Sequence, residues 1–236
     1  KLPFFENGLE SLLKEVTDKN NLKTTNTLLE LVSETEGCFI CVGTPSNEDK
    51  SINLEYVKNS IKNLTDVIVD SKKNNFEIII RSTVIPTTTT SVLKPILEKS
   101  LKENYGLSMV PEFLREGQAL DDFMNPDKIV IGHFNEKSKK FVESIFSYFK
   151  GKTRFFFTNP ETAEMVKYTN NSFFATLISL SNEIANISEK ITGVDTYQVI
   201  QALIEDKRIT TKVGEKKIVP DLTSYLIPGC GFGGSC

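Results

Sequence analysis

Short apolar runs alternate along the first two thirds of the chain with longer stretches of helical periodicity, and this alternation limits the fold more than any other feature. Cys38–Val42, Phe76–Ile80, Leu107–Val110, Lys128–Gly132 and Arg154–Thr158 read as strands. Residues 6–19, Thr27–Ser33, Asn53–Lys72 (capped by Asn53), Val92–Leu101 and Ser138–Phe149 read as helices. Strands of this kind, separated by helices, imply a doubly wound α/β fold with a parallel sheet covered on both faces. Ligands of such sheets gather at the carboxyl ends of the strands. The loops to inspect are therefore Gly43–Pro45, Ser82–Pro86 and Pro111–Gly117. From Pro160 the pattern changes. Glu161 to Ile191 has no Gly or Pro and reads as one long helix, Asp195–Ile204 as a shorter one, and residues 207–227 as irregular.

Composition excludes several classes. The 236 residues are 39% hydrophobic and 25% charged, with a net charge of -3. That balance suits a globular protein and lacks the basic excess of a nucleic-acid binder. The run Lys212–Lys217 contains Glu215 and reads as a solvated loop. No stretch reaches the roughly 18 apolar residues of a membrane span, and no secretory leader is visible. Four cysteines are too few for a disulfide framework in a chain this long, so the cytoplasm is the expected compartment. The chain starts without Met and stops inside a glycine-dense loop, which leads us to expect a fragment.

Several motifs carry competing readings. Gly229, Gly231 and Gly234 satisfy G-x-G-x-x-G but lack the preceding strand and following helix of a dinucleotide loop. They read either as a close backbone approach to a ligand or as a plain turn. Cys38 and Cys41 would face opposite sides of a strand and cannot share a metal, so both read as small core residues. His133, the only histidine, reads as structural. Cys236 lies among small residues, where a thiol is either a reachable nucleophile or incidental. Lys167 and Asn171 share one helix face and could hold an oxyanion or simply meet solvent. Glu112 and Glu116 are open to a general-base role or to ordinary loop solvation.

Taken in order, these segments resemble the UDP-glucose/GDP-mannose dehydrogenase family. The resemblance rests on Cys41-Val42-Gly43-Thr44-Pro45, Arg81-Ser82-Thr83-Val84-Ile85-Pro86, Pro111-Glu112-Phe113-Leu114-Arg115-Glu116-Gly117 and Asn125 to Gly132. It continues through Lys167 with Asn171, Asn182-Glu183, Asp206-Lys207-Arg208-Ile209 and Pro228 to Cys236, nearly the whole chain. It implies an NAD-binding Rossmann-like domain over 1–159 that lacks its first βαβ unit. A central helical, dimerising domain would follow over 160–236. It further implies that NAD twice removes hydride from C6 of a nucleotide sugar, with Cys236 as the tethering nucleophile.

By the same resemblance Lys167 and Asn171 would stabilise oxyanions. Glu116 would activate water, with Glu112 assisting, and Thr83 would position a water or touch the cofactor. Val42, Gly43, Thr44, Pro45, Ser82, Thr83 and Glu116 would line the cofactor site. Phe113, Leu114, Arg115, Glu116, Lys167, Asn171, Gly231, Phe232 and Gly233 would hold the sugar nucleotide, and Arg208 would reach it in a neighbouring subunit. The loop residues look most like the UDP-glucose branch, with GDP-mannose next and the N-acetylated UDP-sugars after that. The family's first glycine loop, the aspartate that follows the cysteine and the nucleotide-binding third domain are not in this sequence. The isolated chain is therefore expected to bind NAD poorly and to be inactive, or to serve only as a folding and dimerisation module. Arg208 lies farther ahead of Cys236 than the family spacing, with Thr210–Ser224 reading as an insertion. A β-hydroxyacid dehydrogenase would share the Lys–Asn pair but needs no cysteine and performs one oxidation.

Overall fold

The computed structural model describes residues 4–231, which divide after Tyr168 into two compact units. The first unit holds a five-stranded sheet in the order β1 (Gly37–Ile40), β2 (Phe76–Ile80), β3 (Tyr105–Met109), β4 (Lys128–His133) and β5 (Arg154–Thr158). Ahead of the sheet come α1 (Leu9–Asp18) and α2 (Leu28–Glu34). Helix α3 (Glu55–Asp70) links β1 to β2, and a π-helical turn, Thr89–Leu93, running into α4 (Lys94–Leu101) links β2 to β3. After β3 come the short α5 (Ala119–Met124), then α6 (Glu136–Ile145) and a 3-10 turn, Ser147–Phe149, between β4 and β5. Helix α7 (Pro160–Ser188) follows β5.

Alternation along the strands builds two cores. Ile78 and Ile80 of β2 point to one face, where Val57, Ile61 and Leu64 of α3 and Leu97 of α4 cover them. Ile79 points to the other, where Ile129 and Ile131 of β4 meet Val142 of α6 with Phe146 and Phe149. All of these side chains are buried, at about 25 cal/mol for each Å² of apolar surface removed from water.

The parallel reading holds for β1–β3 and for β4 with β5, but β4 runs antiparallel to β3. The connection explains it. A parallel neighbour needs a crossover that carries the chain back along the sheet. Here the segment from Val110 to Asp127 is spent on the Pro111–Gly117 loop and the short α5, whose six residues span about 9 Å, so no helix runs back along the roughly 17 Å of a five-residue strand. Strand β4 therefore starts beyond the carboxyl end of β3 and returns alongside it, pairing Met109 with Gly132 and Ser108 with His133.

Other boundaries shift for local reasons. Strand β1 ends at Ile40, so Cys41 lies past it and is exposed, and Cys38 is only half-buried. Cys38 packs against the core as expected, while Cys41 lies outside it. Burial pushes the Cys38 thiol up to about 12 and also raises that of Cys41. Helix α3 starts two residues after Asn53, whose Oδ1 accepts the Glu55 N–H at 2.9 Å. Helix α6 begins at Glu136 because Asn135 caps it, accepting the Ser138 N–H at 2.9 Å.

In the second unit, α7 continues to Ser188 and α8 (Thr196–Ile204) follows, capped by Asp195 through the Gln198 N–H at 3.2 Å. Ile200, Ile204 and Leu226 form its core with Leu177 and Ile184. Residues 207–227 are not irregular, as the sequence suggests. They hold an exposed antiparallel hairpin, β6 (Thr211–Val213) and β7 (Lys216–Ile218), and a 3-10 segment, Asp221–Leu226. Gly214, at φ +62, sits in the turn, a conformation open to a residue without Cβ. The basic run is therefore solvent-facing, but on strands rather than in a loop.

Candidate functional site

Three loops meet at the carboxyl ends of β1–β3. The loops after β1 and β2 are stitched together. Ser82 Oγ donates to the carbonyls of Val42 at 2.7 Å and Ile40 at 3.2 Å, and Thr44 Oγ1 donates to the Thr83 carbonyl at 2.8 Å. Gly43 is exposed, and a Cβ built there meets nothing within 4 Å, so its backbone is open to close approach. Pro45 anchors the far side by accepting the Asn53 N–H at 2.7 Å. Val42, Gly43, Thr44, Pro45, Ser82 and Thr83 thus form one continuous lip, which fits a dinucleotide held largely by backbone contacts.

The third loop, Pro111–Gly117, carries the charged chemistry. Lys167 of α7 is 4% exposed, and its Nζ lies 2.9 Å from Glu112 Oε1. The other Glu112 oxygen accepts the Leu114 N–H at 2.7 Å, so the carboxylate is bonded on both sides. The Phe113 ring lies between two cations, with Lys128 Nζ 4.2 Å and Lys167 Nζ 5.5 Å from its centroid. Lys128 reaches this place because the antiparallel β4 begins level with the loop rather than at the far end of the sheet.

Arg115 forms a forked pair with Asp122 of α5, with Nη2 to Oδ1 at 2.6 Å and its own backbone N–H to Oδ2 at 2.7 Å. The Arg115 side chain holds the Asp122 carboxyl below the usual carboxylate range. Glu116, expected to be the water-activating base, is exposed, while Glu112 is the carboxylate placed against Lys167.

A separate, mostly apolar cavity of about 480 Å³ lies between Phe39, Cys41, Arg81, Phe123, Phe146 and neighbouring side chains. The Arg81 guanidinium is about 6 Å from the three rings and donates to the Val110 carbonyl at 3.3 Å. Its burial lowers the Arg81 pKa. This cavity holds none of the acid–base pair.

In the second unit, Asn171 is half-buried on α7. Arg208 is exposed and forks onto Asp206, with Nη2 to Oδ2 at 2.7 Å and Nε to Oδ1 at 2.9 Å; these hydrogen bonds hold the Asp206 carboxyl far below its ordinary value. Asn182, a motif residue given no role from sequence, accepts the Gly229 N–H at 2.8 Å and so fixes the start of the glycine loop. Gly231 has φ +91, which favours glycine. Phe232, Gly233 and Cys236 lie outside the described residues.

A Rossmann-like sheet with a polar lip at its carboxyl edge, followed by a long helix carrying a buried lysine, defines a class of dinucleotide-dependent dehydrogenases. Residues 1–150 match the model of the UDP-glucose/GDP-mannose dehydrogenase family NAD binding domain, and 161–236 match the central domain of the same family. The chain belongs to the UDP-glucose/GDP-mannose dehydrogenase family, and NAD is the cofactor its first domain implies.

Among its relatives, the GDP-mannose 6-dehydrogenase of Pseudomonas savastanoi pv. phaseolicola is 34% identical over 240 residues, covering 100% of this chain and 52% of the relative. The UDP-glucose 6-dehydrogenase of Rickettsia felis is 34% identical over 236 residues, covering 100% of this chain and 48% of the relative. The solved UDP-glucose dehydrogenase of Pyrobaculum islandicum superposes with a TM-score of 0.85 at 34% identity, covering 100% of this chain and 51% of that one. The chain spans about half the length of these relatives. A 3-hydroxyisobutyrate dehydrogenase from Mycobacterium tuberculosis, at 12% identity and a TM-score of 0.52, shares the fold alone.

Proposed function

We propose that this chain supplies the NAD-binding lip, the acid–base pair and the nucleophile of a nucleotide-sugar 6-dehydrogenase that converts UDP-glucose to UDP-glucuronate. The observation that carries the reading is the Glu112–Lys167 pair at 2.9 Å beside the carboxyl end of the sheet, with Lys167 buried and Glu112 half-buried. Such a pair can shuttle a proton or hold charge beside a reacting oxygen. Bound NAD supplies the hydride acceptor.

The chain's own groups would do the rest. Lys167 with Asn171 would stabilise the C6 oxyanion as the alcohol loses its proton and hydride to become an aldehyde. The Cys236 thiol would add to that aldehyde, giving a thiohemiacetal. Loss of a second hydride and proton leaves a thioester. Glu112 or Glu116 would draw a proton from water, which adds to the thioester and releases carboxylate and thiol. The tether keeps the aldehyde in place between the two oxidations. Thr83, on the lip, would position that water or meet the cofactor.

By family resemblance Phe113, Leu114, Arg115, Gly231, Phe232 and Gly233 would hold the sugar nucleotide, and Arg208 would reach it from a second copy. Phe173, Leu180 and Ile187 recur every seven positions on α7 and are exposed, which supports a homodimer in which that stripe is covered. Among the described residues no helix is long and apolar enough to cross a membrane. We place the reaction in the cytoplasm.

The test joins residues 1–236 to the remaining half of a UDP-glucose 6-dehydrogenase relative and counts NADH per sugar consumed. Two NADH from UDP-glucose, with Cys236→Ser stopping short of uronate, support the reading. One NADH, unaffected by that change, would point to the single-oxidation hydroxyacid chemistry. Turnover of GDP-mannose alone would move the substrate to that branch.

A further inference from the structure

Glu164 lies on α7 three positions before Lys167, so the two side chains leave the helix on the same face. It is 0% exposed, and among the described residues no ion pair reaches its carboxylate. Both oxygens are nevertheless engaged. Oε2 accepts the Thr87 N–H at 2.6 Å, and Oε1 accepts the Thr89 N–H at 2.7 Å and the Thr89 hydroxyl at 2.6 Å. One turn earlier, Glu161 accepts from the Thr90 hydroxyl. These threonines open the helical segment that follows the Arg81–Pro86 loop, where unpaired N–H groups favour an anion. Thr87 has φ +79, a strained backbone for a β-branched residue that persists only where its surroundings enforce it.

A buried carboxylate with no cation is a costly way to hold two elements together, since apolar packing would do so with less desolvation. What the charge adds is direction, because three short hydrogen bonds fix the loop's orientation as well as its distance. We infer that Glu164 is a positioning residue that clamps the loop bearing Ser82 and Thr83 to the helix face bearing Lys167. The cofactor lip and the acid–base pair are thereby held in register: Glu164 fixes the helix to one loop, and Glu112 fixes Lys167 to the other.

The inference rests on the placement of Thr83 and Lys167 in the site. Its test reads the link itself and needs neither cofactor nor turnover, so its failure leaves the proposed reaction standing. The 236-residue chain, wild type and Glu164→Gln, is labelled with an amine-acetylating reagent, and Lys167 modification is followed by peptide mass spectrometry. Amide exchange is followed at Thr87 and Thr89. The Gln amide sets a donor against backbone donors, so both amides should lose protection and Lys167 should label about tenfold faster, with surface lysines unchanged. Thr89→Val removes only the hydroxyl donor and should give a smaller rise, about two- to threefold. If Glu164→Gln does not fold, Thr89→Val decides by the same criterion. Loss of amide protection with Lys167 labelling at the wild-type rate would reduce Glu164 to a structural tie and overturn the inference.

Discussion

Replacing Gly132 with Ala tests the seam between β4 and the start of α7. A Cβ at Gly132 would lie 2.7 Å from Pro160 Cα, 2.8 Å from the Ala163 Cβ and 2.9 Å from the Asn159 carbonyl oxygen. None of these is the end of a flexible side chain. The Asn159 carbonyl is also committed, accepting the Ala163 N–H at 3.1 Å. Ordinary contact begins near 3.4 Å, so the first turn of α7 would have to retreat by about 0.7 Å, the difference from 2.7 Å. Overpacking of this kind costs about 1–3 kcal/mol. At about 2–4 °C per kcal/mol for a chain of this size, Tm should fall by about 2–12 °C. Thermal melts followed by circular dichroism would show it. A Gly132→Ala protein that melts within about 1 °C of wild type would refute the reasoning, because the space would then have to exist.

Other expectations can be checked with the same material. Burial holds the Glu77 carboxyl above its ordinary range despite hydrogen bonds from Ser108 at 2.8 Å and Ser138 at 3.0 Å. The folded state therefore binds this proton more tightly than the unfolded one. Its contribution is full below the unfolded pKa and is lost as pH rises through the folded one. Glu77→Gln keeps an acceptor for Ser108 and should be more stable at neutral pH, on the order of 1 kcal/mol. Melts at several pH values should show that advantage vanish on acidification, and equal pH slopes would contradict it. Gly43→Ala meets no neighbour, so Tm should hold within about 1 °C, while NAD affinity in the joined enzyme should drop about tenfold because the methyl group enters the lip. Leu180→Glu places a charge in the exposed stripe of α7 and should shift sedimentation from dimer to monomer.

Much of the fold was legible in the sequence. Strands β2 and β5 have the bounds their apolar runs predict, because polar residues close each run at both ends. The direction of β4 was not legible, since it depends on how far the chain travels between strands, and periodicity is silent about that. Helix α5 carries Asp121 and Asp122 and buries no residue, so it has no apolar stripe to read. The hairpin β6–β7 alternates lysines with few apolar residues; the Gly214-Glu215 turn between Val213 and Lys216 was its only signal.

The site divides in the same way. Glu112 and Lys167 both stand out as candidates, but 55 positions separate them, and only the tertiary structure puts them in contact. Glu164 and Lys128 gave no sign, because their importance lies in burial and in strand direction rather than in residue type. Asn182 belonged to a motif, yet its role depends on where the backbone of Gly229 arrives.

The mechanism is tested most directly by asking which sulfur carries the sugar. A single turnover of the joined enzyme with UDP-glucose and NAD, quenched in acid and digested, would be read by peptide mass spectrometry across Cys38, Cys41, Cys230 and Cys236. The account predicts an acyl adduct on Cys236 alone, appearing with the second NADH and decaying to uronate. Uronate formed at full rate with Cys236 unmodified throughout would contradict it.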